Sequence, residues 1–248
     1  MLQNFESLVL IWLGLGFITF ITLLKIPAPY GKFSKTNWGP MIPSQVGWIV
    51  MEIISPLALL YFFLNGNIEK TPTNITFISL WTLHYFNRSV IYPLRQNNPA
   101  QMPLIIAVLA FLFNVMNGYI NGTYFGSIQE YSAEYMSNWN FIVGVCLFII
   151  GAYINIKSDN ILLSLRSKSG EYKIPEGFLF RYVSFPNYFG EILEWMAFAI
   201  MTWSLAGLSF MIWTMANLVP RAIKGHQWYH SKFESYPKNR KAIFPFII

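Results

Sequence analysis

The sequence predicts an all-α integral membrane protein, a bundle of seven transmembrane helices with its N-terminus outside and its C-terminus cytoplasmic. Three observations carry this. Apolar residues make up 54% of the 248 positions and charged residues 11%, with a mean hydropathy of +0.42, far from the balance of a soluble globular domain. Uncharged stretches recur at about the 20-residue length that spans a hydrocarbon core. Lys and Arg segregate between alternate loops, as the positive-inside rule requires.

The first span, 7–24, has no cationic leader or small-residue cleavage site, so it reads as a retained helix and not a removed signal. The second, 46–64, is apolar except for Glu52, and the third, 74–92, carries His84, Tyr85 and Arg88. The fourth and fifth, 103–121 and 139–157, are apolar again. The last apolar territory, 195–220, has a polar lead-in from Asn187 to Glu194 and a break at Ser204 to Gly207, so it divides into 187–203 and 205–222. No composition shift, long linker or repeat interrupts the chain, and residues 1–248 read as one membrane-embedded domain.

With seven spans, Lys25, Lys32, Lys35, Arg95, the basic residues from Lys157 to Arg181 and those from Arg221 to Lys241 share one face. The other face has only Lys70, and Arg88 lies inside a span. A six-helix count would scramble this segregation. The basic face is therefore assigned to the cytoplasm, and topology accounts for the net charge of +6 without a nucleic-acid partner. The single cysteine, Cys146, cannot form an internal disulfide, and a monomer in a lipid bilayer is the expectation. Sequons at Asn74 and Asn121 fall on the outer side.

An ionisable group at membrane depth costs at least a few kcal/mol, so the polar residues inside the spans are the informative ones. Trp48 and Glu52 are four apart and share a helix face. Tyr85, Arg88 and Tyr92 form a second stripe, and Asn187, Glu191 and Glu194 a third. Asn155, Asp159 and Arg166 fall on a fourth if the helix continues, because eleven residues are almost three turns. Such stripes face each other or a cavity, so the interior of the bundle is polar. Each also has a plainer reading. Glu52 and Arg88 can form a structural ion pair, and Asn114, Asn117 and Asn121 read as interhelical glue. His226, His230 and Glu234 have a metal-like spacing but sit in a basic juxtamembrane tail, so no metal is assigned and a solvated helix face is the expectation. No Rossmann, P-loop, zincin or paired C-x-x-C signature is present, so a dinucleotide would have to be gripped by helix ends.

Five blocks, WIVMEIISP (48–56), LHYFNRSVIYP (83–93), INIKSDNILLSLR (154–166), YKIPEGFLFRYVSFPNYFGEILEW (172–195) and FESYPKNRKAIFPFII (233–248), resemble the membrane-embedded steroid 5α-reductases in order. The resemblance runs from about Tyr30 to the last residue. It implies reduction of the C4–C5 double bond of a 3-keto-Δ4 steroid by hydride from NADPH. By the same resemblance, Glu52 and Tyr85 stand where the 3-carbonyl is held, and Trp48 and Trp195 supply flat apolar walls for the rings. Hydride delivery to C5 pushes charge onto the 3-oxygen as an enolate, and donors already aimed at it lower the barrier. Glu52 can donate only as the neutral acid, a form that withdrawal from water favours and a close Arg88 opposes.

The cofactor positions implied by the resemblance are Tyr30, Arg88, Tyr92, Asn155, Asp159, Arg166, Lys173, Asn187, Glu191, Arg221 and Tyr229. Arg166 and Arg221 suit phosphate oxygens, and the acids and amides suit ribose hydroxyls and the nicotinamide amide. Two positions depart from the mammalian pattern: Lys173 replaces an arginine and Gly225 a histidine. Rival readings are a trans-2-enoyl thioester reductase, an isoprenylcysteine-type methyltransferase, which the FPNYFGEILEW block also resembles, and a seven-helix transporter. The last two give Glu52 and Tyr85, or the arginines at the cytoplasmic edge, no evident task.

Overall fold

The computed structural model describes residues 2–96, 100–165 and 172–248. The described residues are an all-α membrane protein with one two-stranded ribbon. In chain order they form α1 (Leu2–Lys25), β1 (Met41–Pro43), α2 (Ser44–Leu64), α3 (Pro72–Phe86), β2 (Gln101–Pro103), α4 (Leu104–Thr123), α5 (Trp139–Leu165), α6 (Pro186–Thr202) and α7 (Leu205–Lys232). Among the described residues four helical stretches are long and apolar enough to cross a bilayer: Leu2–Lys25, Ser44–Leu64, Leu104–Ile128 and Trp139–Leu165. The other three helices are shortened or made polar by the residues that give the interior its chemistry.

Local sequence explains the helix boundaries. Pro72 and Pro186 open α3 and α6, where a missing N–H costs nothing. Thr71 caps α3 by accepting the Asn74 N–H and donates to the Tyr131 carbonyl at 2.7 Å. The α3 helix then widens into a π turn at Asn87–Ile91, because Pro93 has no N–H to offer the carbonyl four residues back, before a last α-turn at Tyr92–Leu94. Between α6 and α7 the chain reverses within two residues. Trp203 caps α6 in the left-handed region (φ 46°), and the Ser204 hydroxyl accepts the Gly207 N–H at 2.9 Å to start α7.

Small residues set how closely the helices approach, as expected where lipid removes the hydrophobic drive for helix association. Gly118, Gly122 and Gly126 lie against the backbone of α2. Gly151 and Gly190 do the same between α5 and α6, which run antiparallel with Gly144 near Met201 and Asn155 near Gly190. The β1–β2 ribbon, Met41 opposite Pro103, puts the starts of α2 and α4 side by side, so these helices run the same way. A buried aromatic cluster of Phe77, Trp81, Tyr85, Trp195, Phe198 and Phe210 fills the centre.

The basic residues collect at one end of the bundle. There Arg221 reaches the carbonyls of Ala28 and Tyr30, Lys32 reaches Gly225, and Arg95 donates to Asn160 at 2.7 Å. At the opposite end Lys70 donates to the carbonyls of Gly66 and Ile68. The sequons are corrected: Asn74 and Asn121 are both buried and donate to the carbonyls of Phe125 and Asn117, so neither side chain is open to a glycosyl donor.

Candidate active site

The third helix brings Tyr85 into the aromatic centre. Its ring stacks on Trp81 at 5.7 Å, and Trp195 stands 5.9 Å away. The phenol donates to Asn114 Oδ1 at 3.2 Å, and Asn114 Nδ2 donates to the Met51 carbonyl at 2.6 Å. Asn114 thus links Tyr85 on α3 to the residue preceding Glu52 on α2. Glu52 is half-buried. The plain reading of the asparagine stripe holds for two members: Asn114 bridges helices, and Asn117 accepts the Trp12 indole N–H at 3.2 Å. Trp195 is fully buried, wedged among Trp81, Phe210 and His84.

One turn beyond Tyr85, in the π segment, Arg88 pairs with Asp159 at 3.4 Å. Among the described residues no ion pair joins Arg88 to Glu52, so the structural bridge weighed from the sequence is not formed. The Arg88 guanidinium also lies 5.1 Å from the Trp48 ring and 5.2 Å from the Tyr92 ring. Asp159 accepts from Asn187 Nδ2 at 3.0 Å, and Asn155 Nδ2 donates to the Asn187 carbonyl at 3.0 Å. Four cofactor positions predicted separately, Arg88, Asp159, Asn187 and Asn155, therefore form one polar chain across α3, α5 and α6. The Asn187 side-chain oxygen is buried with no hydrogen-bond partner. Arg166 lies outside the described residues, and Lys173 falls in the segment between α5 and α6.

A second group forms at the basic end. The Arg221 guanidinium stacks 3.5 Å from the Tyr30 ring centre, and its Nε donates to the Tyr188 hydroxyl at 3.1 Å. The Lys32 ammonium sits 4.5 Å from the Phe185 and Tyr229 ring centres and 4.9 Å from that of Trp228. Burial, and then the Arg221 charge, push its amine down to about 7. Among the described residues neither cation meets a carboxylate. Gly225 explains the approach of Lys32, since a Cβ there would lie 2.8 Å from the Lys32 amine and would strike the Phe185 ring.

Sequence reasoning left several of these residues out. His84 and Glu194 form a buried pair at 2.8 Å beside Tyr85 and Trp195, although His84 inside the third span and Glu194 in the Asn187 stripe were the signal. Lys32, two residues after Tyr30, and Tyr188, three before Glu191, gave no signal of their own. The histidine tail differs from the solvated face expected. His226 is half-buried and its Nδ1 lies 2.6 Å from the buried Ser184 hydroxyl, while His230 and Glu234 are exposed.

A phenol beside a buried aromatic centre, a polar chain one helical turn away, and at the basic end two cations that meet no carboxylate among the described residues together offer places for an apolar compound and for an anion. Comparison with known proteins decides the family. The sequence profile described as 3-oxo-5-alpha-steroid 4-dehydrogenase matches residues 100–248. The chain belongs to that family. It is 43% identical over 241 residues to a steroid 5-alpha-reductase of Arabidopsis thaliana, covering 92% of this chain and 91% of the relative. It is 38% identical over 239 residues to the 3-oxo-5-alpha-steroid 4-dehydrogenase 1 of Rattus norvegicus (94% and 92% covered) and 35% over 238 residues to that of Homo sapiens (94% and 92%). Membership makes the protein a membrane oxidoreductase of the 3-oxo-5-alpha-steroid 4-dehydrogenase family, and it removes the methyltransferase and transporter readings.

Proposed function

We propose that the protein reduces the C4–C5 double bond of 3-keto-Δ4 steroids to 5α-reduced 3-oxo steroids, with NADPH as hydride donor. The observation that carries this reading is the bridge from the Tyr85 phenol through Asn114 to the Met51–Glu52 turn of α2, one helical turn from the Arg88–Asp159–Asn187 chain.

The residues suit the cofactor. Arg221 and Lys32 are cations lacking a carboxylate among the described residues, which fits phosphate groups, and the orphaned Asn187 oxygen fits an amide or hydroxyl donor. In this reading Tyr30, Arg166, Lys173, Arg221 and Tyr229 hold the phosphate and adenosine end. Arg88, Tyr92, Asn155, Asp159, Asn187 and Glu191 hold the ribose and nicotinamide end. NADPH supplies the hydride that adds to C5. Trp48 and Trp195 flank the steroid rings, while Glu52 and Tyr85 donate hydrogen bonds to the 3-oxygen as charge grows on it. Glu52 must be the neutral acid to do so, and buried donors fixed in advance are worth about 3 kcal/mol of barrier each. The enolate then takes its C4 proton from water or a tyrosine hydroxyl. We place the enzyme as a monomeric, single-domain, seven-span membrane protein whose basic end faces the cytoplasm, so that the cofactor enters from that side.

The test is oxidation of NADPH by purified protein in detergent or nanodiscs across a steroid panel, followed by absorbance. Turnover with 3-keto-Δ4 steroids supports the reading. Silence with steroids and turnover with an enoyl thioester would replace it with the linear-chain reductase reading.

A further inference from the structure

Asn114 is 4% exposed and makes its two side-chain bonds to two different helices. Each bond fixes the sense of the other. The Met51 carbonyl can only accept, so the amino end of the Asn114 amide faces it at 2.6 Å. That leaves the amide oxygen for Tyr85, and the phenol is therefore the donor in the 3.2 Å bond. A phenol has one proton, and here it is committed to Asn114.

A substrate carbonyl oxygen can also only accept. If Tyr85 is to donate to it, as the function proposed above requires, the phenol proton must first leave Asn114. We propose that Asn114 is a positioning residue of the reaction: it holds the Tyr85 phenol in register with the Glu52 helix in the free enzyme and yields the phenol proton to the substrate oxygen during turnover. No covalent bond changes in this exchange, since one neutral hydrogen bond is traded for another. An amide oxygen and a ketone oxygen are comparable acceptors, so the trade gives little in the ground state. Once hydride has reached C5 the substrate oxygen is anionic and the bond to it is charge-assisted, while the competing amide has not changed. Asn114 thereby cancels what Tyr85 would add to ground-state binding, so that relative to the free enzyme the phenol's contribution appears in the transition state and not in the affinity for the steroid. The ring itself has little freedom to move, being packed against Trp81, His84 and Trp195, and Ser55, the other hydroxyl within its reach, already accepts the Trp81 indole N–H.

The test uses the full-length protein in nanodiscs, with steroid kinetics at saturating NADPH. Asn114→Leu is near in volume but has no acceptor, so the phenol of the free enzyme is left, among the described residues, only with Ser55, whose oxygen already accepts the Trp81 indole N–H, and binds substrate more readily. KM for the steroid then falls by about threefold to tenfold while kcat stays near native. Asn114→Asp keeps an oxygen toward Tyr85 and retains a KM at or above the native value. In a Tyr85→Phe background Asn114→Leu changes neither constant. Native KM and kcat in Asn114→Leu, with only the yield or melting temperature lowered, would reduce Asn114 to interhelical glue and overturn the proposal, as would an effect that persists with Tyr85→Phe. A readout without turnover is the 19F resonance of a fluorinated tyrosine incorporated at position 85. It moves with Asn114→Leu and with added 3-keto steroid if the phenol changes acceptor, and an unmoved resonance sinks the idea. If Asn114→Leu does not fold, the steroid titration of the native protein gives the same decision. Native kcat in Tyr85→Phe would remove the assignment of Tyr85 and this inference with it, whereas a Tyr85→Phe defect with an inert Asn114→Leu removes this inference alone.

Discussion

Glu52 and Lys32 show two ways in which a single ionisable residue can be read. Glu52 is the one acid of α2, and an acid in an apolar run is conspicuous in sequence because lipid makes it costly. Its proposed role predicts that Glu52→Gln, which keeps a donor but loses the acid, lowers kcat about a hundredfold while the KM for NADPH stays near native. Steady-state kinetics with each substrate varied in turn checks the split, and a change confined to NADPH would move Glu52 to the cofactor side. Lys32 is inconspicuous by comparison, because a lysine in a basic loop is ordinary until Phe185, Trp228 and Tyr229 are seen around it. Its amine is pushed down to about 7 in the cofactor-free protein, so it is partly neutral at physiological pH. A phosphate placed beside it raises that value, so binding takes up a proton. NADPH affinity is then full below pH 7 and falls as pH rises above it, by up to about tenfold per unit. Lys32→Arg remains charged throughout and flattens the dependence, which fluorescence titration of NADPH between pH 6 and about 9 would read.

Between helices, the informative feature is the spacing of glycines. Gly118, Gly122 and Gly126 recur every fourth residue along α4 and its π extension, the small-residue pattern that lets membrane helices touch backbone to backbone. A Cβ at Gly118 would lie 2.6 Å from that of Ala58 and 2.8 Å from the Leu59 nitrogen, and one at Gly122 would lie 2.6 Å from the Leu59 carbonyl oxygen. These neighbours are backbone or Cβ atoms, so no rotamer change relieves them. Gly118→Val is therefore expected to destabilise the fold by at least about 3 kcal/mol and to separate α2 from α4, detaching the Met51 carbonyl from Asn114. A Cβ at Gly14 on α1 would meet nothing within 4 Å, so Gly14→Ala serves as the neutral control. Thermal unfolding in detergent, followed by size-exclusion monodispersity, would show the difference. The α6–α7 reversal is readable in the sequence for a similar local reason, since Ser204 is a helix cap. The π turn under Arg88 is not, because only the missing N–H of Pro93 hints at it and a proline so close to a helix end usually marks a simple stop.

For the molecule as a whole, the class of fold follows from composition and the assembly of the site does not. Hydropathy locates apolar helices because the bilayer forbids unpaired backbone, whereas the chain from Arg88 through Asp159 to Asn187 depends on how three helices far apart in sequence are rotated. What composition and structure share is the segregation of charge. Helices α1 and α7 run the same way, with Trp12 near Trp213 at one level and Ala28 near Arg221 further along, so the end of α1 and the polar half of α7 reach the same side. Lys70 sits at the other end, held by the Gly66 and Ile68 carbonyls. In the orientation proposed above from the positive-inside rule, the Arg221 and Lys32 end is cytoplasmic and the Lys70 end is outside. In a Cys146→Ser background, Lys70→Cys should react with a membrane-impermeant maleimide added to sealed right-side-out vesicles or intact cells. Lys241→Cys, exposed at the basic end, should react only after permeabilisation. The reverse pattern would invert the protein in the membrane and place the end proposed to bind the cofactor away from the cytoplasmic NADPH pool, which is incompatible with the proposed reaction.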